Sequence, residues 1–228
     1  MDITDGAHGF RNVITTTEQL AELYRRPSDV VMNKDTHRID EGVMSFLERS
    51  TFVLVGTSSA DGKLDVSPRG GPAGFVKAID DHRLVIPDMN GNNRLDTIRN
   101  IVENPEIALL FLVPGLGETL RLNGRACITT DDEILDLFTD ELRRPKSAIG
   151  VNLEEAYLHC AKSFRRGGIW DPETWPEVAR RPNVGQILIE HTGMETGMSD
   201  EEWKDMLEKG YAADLAADAP EPTGQPSS

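Results

Sequence analysis

Three polar segments in the middle of the chain carry residue types that bind anions. They read DVSPRGGP (65–72), PDMNGNNRL (87–95) and GETLRLNGRA (117–126). Small residues expose backbone N–H groups, while arginine and serine add side-chain donors that suit a phosphate. Because the chain as a whole is acidic, cations kept on such segments favour an anionic ligand. We therefore interpret the three segments as a candidate cofactor site.

The first segment offers Ser67, Arg69 and Gly70 as candidate contacts. In one interpretation they meet a phosphate or a ring edge, with glycine allowing a close backbone approach. In the other, the Gly-Gly-Pro sequence only forms a bulged corner of a barrel. The residues alone leave both interpretations open.

The second and third segments are equally ambiguous when each is taken alone. Asn92, Asn93 and Arg94 stand at the start of a predicted helix, where the dipole and free N–H groups favour an anion. The alternative is a helix cap with a solvated arginine. Thr119 and Arg121 occupy alternate positions of a predicted strand and so share one face, which is also typical of a solvated surface.

Composition restricts the class of protein. The 228 residues carry a net charge of −15, which argues against general affinity for nucleic acid or anionic membranes. The block 63–126 holds eight basic and eight acidic residues, so the excess negative charge lies outside it. No apolar run approaches the roughly 20 residues of a membrane span, and the first residues do not resemble a signal peptide. We expect a cytoplasmic protein.

Other chemistry finds little support in the sequence. It lacks the P-loop, nucleophile-elbow, zinc-helix and dinucleotide-binding glycine motifs. Its five histidines have no metal-ligand spacing, so we expect no metal. Cys127 and Cys160 form no CxxC pair, and we expect reduced thiols, with Cys160 buried on a helix. The sequence nominates no catalytic acid or base.

Hydrophobic periodicity and turn signals predict short strands with flanking helices. The predicted helices are 19–24, 39–50, 92–102, 131–138, 153–164 and 199–210, with capping boxes at 16–19, 130–133 and 199–202. The predicted strands are 52–57, 63–67, 74–79, 83–86, 107–113, 119–128 and 186–190. This arrangement indicates a small antiparallel barrel and argues against a doubly wound sheet.

In this order the three segments resemble the pyridoxamine 5′-phosphate oxidase-like family of flavin proteins, the FMN-binding split barrels, over about residues 46–138. The run GNNRLDTIRNIVENP (91–105), with LLFLVPG (109–115) and GETLRLNGR (117–125), is similar to an uncharacterised bacterial subgroup. The run HCAKSFRRGGIWDP (159–172) also resembles that subgroup.

The resemblance implies a mainly β fold with flanking helices (α+β), a six-stranded antiparallel split β-barrel. It further implies a homodimer that binds two FMN molecules at the subunit interface. We expect an N-terminal helical extension (1–37), the flavin-binding barrel domain (38–195), a C-terminal helix (196–211) and a disordered tail (212–228).

The resemblance also implies roles for individual residues. Asn93 and Arg94 match the family's phosphate contacts, Thr119 matches a contact with the polar edge of the flavin ring, and Ser67 and Arg69 lie on the strand that lines it. The segment at 159–172 is expected to approach the flavin from the partner subunit. The complete set of expected cofactor contacts is Ser67, Arg69, Gly70, Asn92, Asn93, Arg94, Thr119, Arg121, Lys162, Arg166 and Trp170.

The implied function is an FMN-dependent oxidoreductase that moves hydride or electrons between a small-molecule donor and an acceptor. The alternative is a non-catalytic flavin carrier or sensor, and a third hypothesis is a flavin-free barrel that acts through protein contacts. True oxidases close their substrate site with a C-terminal Arg-x-His element, which is absent after Trp170. Pyridoxamine phosphate is therefore not the expected substrate, and neither nucleic acid nor a membrane is an expected partner.

Overall fold

The computed structural model describes residues 9–91, 93–195 and 197–220, and the chain divides into two compact units, Met1–Asp35 and Thr36–Ser228. The first unit contains helices α1 (Thr17–Leu23) and α2 (Asp29–Met32). The predicted capping box at the start of α1 is confirmed. Thr16 Oγ1 accepts the N–H of Gln19, and the side chain of Gln19 accepts the N–H of Thr16.

An antiparallel sheet of seven strands forms the centre of the second unit. The strands are β1 (Phe52–Ser58), β2 (Leu64–Gly70), β3 (Lys77–Ala78), β4 (Arg83–Asp88), β5 (Glu106–Leu112), β6 (Thr119–Thr129) and β7 (Ser147–His159). Their order is β2-β1-β5-β6-β7-β4-β3. The antiparallel fold with flanking helices is confirmed. The six strands that the family resemblance implied are wrong, because the sheet has seven. No ladder between the described residues joins β2 to β3 and closes the sheet.

The second unit also contains helices. They are α3 (Glu41–Leu47), α4 (Asp96–Glu103), α5 (Asp132–Asp136), α6 (Lys162–Gly167), α7 (Val184–Thr192) and α8 (Asp200–Ala217), with 3-10 helices at Pro172–Thr174 and Val178–Arg180. Across the described ranges, no helix combines the length and the apolar character that a bilayer crossing needs.

The core lies on one face of the sheet. Alternate residues of β1, β5 and β6 supply it, since successive strand side chains point to opposite faces. These residues are Val53, Val55, Leu109, Phe111, Leu120 and Leu122. Phe46 and Leu47 of α3 and Ile101 of α4 cover them, so both helices are fixed to the sheet by apolar burial. A second cluster on β4, α5 and β7 consists of Val85, Leu135, Phe138 and Ala148.

The predicted helix 153–164 is wrong, because residues up to His159 belong to β7. The register shifts opposite Asn123 and Gly124, where Gly124 pairs with Leu153 and Asn123 with Glu155. This bulge leaves an extra residue between two buried positions, Leu153 and Ala156, and their spacing of three imitates a helix. Cys160 follows the strand and is exposed, so its predicted burial on a helix is also wrong.

Three further boundaries differ from those predicted. The predicted strand 186–190 is part of α7, which begins at an Asn183 cap and ends at left-handed Gly193. The capping box of Ser199 and Glu202 is confirmed, but α8 continues to Ala217, past the predicted end of the C-terminal helix at residue 211. The predicted capping box at 130–133 is wrong, because Asp131 is the N-cap and its side chain accepts the N–H of Glu133. Residues 221–228 of the predicted tail lie outside the described part of the chain.

Candidate functional site

The face of β2 that points toward the core carries polar side chains. Ser67 and Arg69 on this face are half-buried, whereas Leu64 on the other face is 85% exposed. Ser67 pairs with Val55 and Arg69 pairs with Val53, and both valines are fully buried. Because directly opposed residues of an antiparallel pair point to the same face, Ser67 and Arg69 point toward the core face of the sheet. The edge strand therefore places two hydrogen-bonding side chains at the rim of the core.

Arg69 links the edge strand β2 to β4, which lies next to the opposite edge of the curved sheet. Its Nη1 donates to Ser67 Oγ (2.7 Å) and to the Pro68 carbonyl (3.0 Å), and its Nη2 lies 3.8 Å from Asp88 Oδ1. Four strands separate β2 from β4 in the sheet order, so this contact requires strong curvature. We call Ser67, Arg69 and Asp88 the β2–β4 site.

One hydrogen-bond donor of the β2–β4 site has no acceptor in the described part of the chain. The Nε of Arg69 is buried, and no group in the described part of the chain accepts its hydrogen bond. Buried polar atoms are normally paired, so an orphaned donor of this kind needs an explanation such as a bound ligand. An acceptor atom of a ligand at the β2–β4 site would satisfy it.

Asp88 has an altered acidity. Partial burial raises the pKa of its carboxyl above the ordinary value of 3.8, against the opposing effects of Arg69, a hydrogen bond from Ser147 and the charge of Lys146. Desolvation is the largest cause, because burial penalises the charged form of a carboxyl. Asp88 thus pairs with Arg69, although burial removes part of the water around its carboxylate.

This raised pKa predicts a pH dependence of stability. Between 3.8 and the raised pKa, folded Asp88 keeps a proton that the unfolded chain has lost, so the free energy of unfolding falls as pH rises through this window. We expect the difference between wild-type and Asp88→Asn curves, from urea unfolding at a series of pH values, to show this fall. A difference that stays constant, or that rises with pH, would contradict the assigned direction.

The start of α4 is the second part of the site. The residue before the helix, Leu95, is left-handed (φ 61°) and its side chain makes no capping hydrogen bond. Asn93 is also left-handed (φ 57°). Left-handed conformations cost a non-glycine residue on the order of 1–3 kcal/mol and cluster at ligand sites. The predicted capping by Asn93 is therefore wrong, and Asn92 lies outside the described residues.

Side-chain hydrogen bonds fix α4 relative to the β2–β4 site. Thr97 Oγ1 donates to Asp65 Oδ2 (3.0 Å), and Asp65 lies on the same face of β2 as Ser67 and Arg69. Asn100 Nδ2 donates to Thr57 Oγ1 on β1 (3.0 Å). Arg94 precedes the helix, is exposed and forms an ion pair with Asp96.

The glycine pair after Arg69 has a packing role. A Cβ on Gly71 would lie 2.7 Å from Cβ of buried Phe75, so this glycine is needed for close packing. A Cβ on Gly70 would lie 3.4 Å from the Thr51 carbonyl oxygen, an ordinary contact. Close packing against Phe75 therefore accounts for Gly71.

Thr119 and Arg121 lie on the opposite face of the sheet from Arg69. Their neighbour Leu120 pairs with Phe111 on the core face, so the residues on either side of it point outward. Thr119 is nevertheless only 5% exposed. Arg121 Nη1 donates to the Tyr157 hydroxyl (2.9 Å), and its guanidinium carbon lies 5.4 Å from the centroid of that ring.

Lys162, Arg166 and Trp170 lie in the segment that follows β7. Lys162 and Arg166 are exposed on α6, and Trp170 Nε1 donates to the Leu116 carbonyl (2.8 Å) in the turn before β6. The structure thus places Ser67 and Arg69 on one face of β2 and Gly70 on the other, and it places Thr119 and Arg121 on the face opposite Arg69. Asp88 was not predicted from the sequence, because a carboxylate at the end of a strand looks solvated until the curvature of the sheet is known.

Comparison with known proteins identifies the family. The model of the family described as pyridoxamine 5′-phosphate oxidase matches residues 39–160, more than half of the chain. The chain belongs to the pyridoxamine 5′-phosphate oxidase family. This confirms the resemblance seen in the sequence. No curated protein matches the chain.

Several solved structures are similar to this member of the pyridoxamine 5′-phosphate oxidase family. HupZ from Group A Streptococcus is 20% identical, with a TM-score of 0.42, and the match covers 51% of this chain and 91% of HupZ. General stress protein 26 from Bacillus anthracis is 18% identical, with a TM-score of 0.40 over 52% of this chain and 91% of its own. An F420 reductase is 21% identical, with a TM-score of 0.37 over 53% of this chain and 98% of its own.

Proposed function

We propose that this protein binds FMN at the β2–β4 site and is an oxidoreductase. The buried, unaccepted Nε of Arg69 carries the proposal, because it marks a place where a ligand acceptor completes the protein's own hydrogen bonds. Membership of the family supports a flavin as that ligand, since its members generally bind one. Polar edge atoms of a flavin ring are suitable acceptors for the Arg69 and Ser67 donors.

The phosphate of FMN would bind at the start of α4. This helix offers first-turn N–H groups without a capping side chain, and Arg94 adds a cation next to them. Asp96 opposes this, because its carboxylate lies in the first turn and pairs with Arg94. We infer that Arg94 exchanges this carboxylate for the phosphate, which can accept more hydrogen bonds.

The protein's own residues would bind and orient the cofactor. Bound FMN supplies hydride and electron transfer. Asp88 holds the Arg69 guanidinium against Ser67, which fixes the direction of its Nε. Partial burial of Arg69 and Asp88, whose side chains are 22% and 20% exposed, limits water around these donors and so strengthens their interaction with an anion.

A second subunit would complete the site. We propose a homodimer in which Thr119, Arg121, Lys162, Arg166 and Trp170 face the flavin held by the other subunit. The position of Thr119 and Arg121 on the opposite face of the sheet from Arg69 supports this, since one subunit cannot direct both faces at the same ring.

Replacement of Arg94 tests the phosphate assignment. We expect Arg94→Ala to lose its flavin on dialysis, because a charge-assisted hydrogen bond to the phosphate is lost. The matched control is Arg83→Ala, which removes another exposed arginine paired with a nearby aspartate. Absorbance of the dialysed protein at visible wavelengths gives the result, and full retention of the yellow colour by Arg94→Ala would refute the assignment.

Turnover distinguishes the oxidoreductase from the flavin carrier or sensor. We expect the FMN-loaded protein to consume NAD(P)H steadily in the presence of oxygen or a quinone. Bound flavin without steady consumption of the nucleotide under either condition would favour the non-catalytic alternative.

A further inference from the structure

The end of helix α8 lies against the segment that follows β4. The helix is capped by Asp218, whose backbone N–H donates to the carbonyl of Asp214. Residues 208–217 of α8 are exposed, whereas Asp218 is half-buried. Because exposure falls at the last position, this contact is made by the end of the helix and not by an apolar face along its length.

Two hydrogen bonds hold Asp218 in this position. Asn90 Nδ2 donates to Asp218 Oδ1 (3.0 Å), and the backbone N–H of Arg143 donates to the Asp218 carbonyl (2.8 Å). Arg143 belongs to the segment between α5 and β7, and Asn90 lies just after β4, which ends at Asp88. Asp218 therefore connects α8 to two segments that are distant from it in the sequence.

The charges around this contact favour it. Asp218 lines a cavity of about 330 Å³ together with Arg143, Arg144 and Lys146. The C-terminal end of a helix carries a partial negative charge, and α8 ends in DLAA (214–217), which contains no basic residue. The cations of segment 143–146 supply the positive charge that stabilises both the helix end and the Asp218 carboxylate.

The segment that contains Asn90 leads to the proposed phosphate site. Residues 90, 91 and 93–95 are exposed, and Asn93 and Leu95 are left-handed, with φ of 57° and 61°. Such conformations are unfavourable for residues other than glycine and persist only where the surrounding contacts determine them. The hydrogen bond from Asn90 to Asp218 is one such contact, because it fixes the segment four residues before Arg94.

We propose that Asp218 is a positioning residue for the phosphate of FMN. It holds Asn90, and Asn90 fixes the segment that presents Arg94 and the first-turn N–H groups of α4 to the phosphate. Asp218 lies outside the residues 39–160 that the family model matches, so family membership alone does not supply this contact. The inference rests on the proposed function, because it concerns the phosphate end of the same site.

The affinities for two flavins measure this role. Flavin-free, full-length Asp218→Ala is titrated by fluorescence with FMN and with riboflavin, which lacks the phosphate. We expect FMN to bind about 3- to 10-fold more weakly than to wild type, in line with the loss of one hydrogen bond, and riboflavin to stay within about twofold. Loss of a negative charge by itself would tighten the binding of a phosphate, so weaker binding is specific to positioning.

Three further variants control this measurement. Asp214→Ala removes the same charge from an exposed position one turn earlier on α8, and it should bind FMN at least as tightly as wild type. Asp218→Asn keeps an oxygen acceptor for Asn90 and should bind FMN within about twofold of wild type. Asn90→Ala should weaken FMN binding as much as Asp218→Ala, and the double variant no further, because both substitutions remove one interaction.

Trypsin cleavage after Arg94 reports the hold on the segment without any flavin. Cleavage of a locally opened segment follows the population of its open form, so flavin-free Asp218→Ala should be cut here about 3- to 10-fold faster than Asp214→Ala. Cleavage after Arg25, in the first unit of the chain, serves as the internal standard.

Three results would overturn the inference. They are equal cleavage rates after Arg94, unchanged FMN affinity in both Asp218→Ala and Asn90→Ala, and equal weakening of FMN and riboflavin binding. A wild-type protein that binds neither flavin refutes the proposed function, and the cleavage rates then still decide whether Asp218 holds the segment.

Discussion

Arg69→Ala is expected to weaken flavin binding by about 10- to 100-fold, which corresponds to about 1.5–3 kcal/mol for a hydrogen bond from a charged donor. The substitution removes the buried Nε donor and leaves the partly buried carboxylate of Asp88 without its arginine. Fluorescence titration of the flavin-free variant with FMN measures the change in the dissociation constant.

Arg125→Ala is the control for this substitution. Arg125 is an exposed arginine that pairs with Glu106 on the neighbouring strand, so its replacement removes the same charge outside the β2–β4 site. Its dissociation constant for FMN should stay within about twofold of wild type, in line with the small energy of an exposed ion pair. Equal FMN affinity in Arg69→Ala and Arg125→Ala would remove Arg69 from the cofactor site.

The largest effect on stability is expected from Gly124→Ala. A Cβ at this position would lie 2.1 Å from the carbonyl oxygen of Asn152 and 3.3 Å from the backbone nitrogen of Glu154. Because both neighbours are backbone atoms of β7, rotation of a side chain cannot relieve the clash, and the strands must separate at the bulge. We expect a loss of about 3 kcal/mol in the free energy of unfolding, at the upper end of overpacking effects.

Gly210→Ala is the control for the glycine substitution. Gly210 lies inside α8, and a Cβ there would meet no atom within 4 Å. Alanine favours a helix over glycine by about 1 kcal/mol, so this variant should be slightly more stable than wild type. Urea unfolding of both variants supplies the comparison. If Gly124→Ala unfolds at the same urea concentration as wild type, the close approach of β6 to β7 is incorrect.

Local signals in the sequence predicted much of the sheet. The buried strands β1 and β5 were clear from their apolar β-branched content, and the turn between β1 and β2 contains the expected Asp61-Gly62 pair, with Gly62 left-handed. Where prediction failed, propensity competed with other signals. Ile187 and Ile189 favoured a strand, although Asn183 and Gly193 marked the two ends of a helix.

The candidate site was only partly predictable for a different reason. Ser67 and Arg69 are recognisable as donors from their residue types alone. The approach of Arg69 to Asp88 depends on the curvature of the sheet, which brings the Arg69 guanidinium of β2 to within 3.8 Å of the Asp88 carboxylate of β4. A pattern along one strand holds no information about such a contact. The same holds for the separation of Thr119 from Arg69, which follows from the register of four strands.

The cofactor content of the purified full-length protein tests the central claim most directly. After incubation with FMN and removal of the excess, the visible spectrum and the mass of the released cofactor are measured for wild type and Arg69→Ala side by side. We expect stoichiometric FMN in the wild-type protein and its loss from Arg69→Ala. A wild-type protein without flavin absorbance after this treatment would contradict the assignment of FMN to the β2–β4 site.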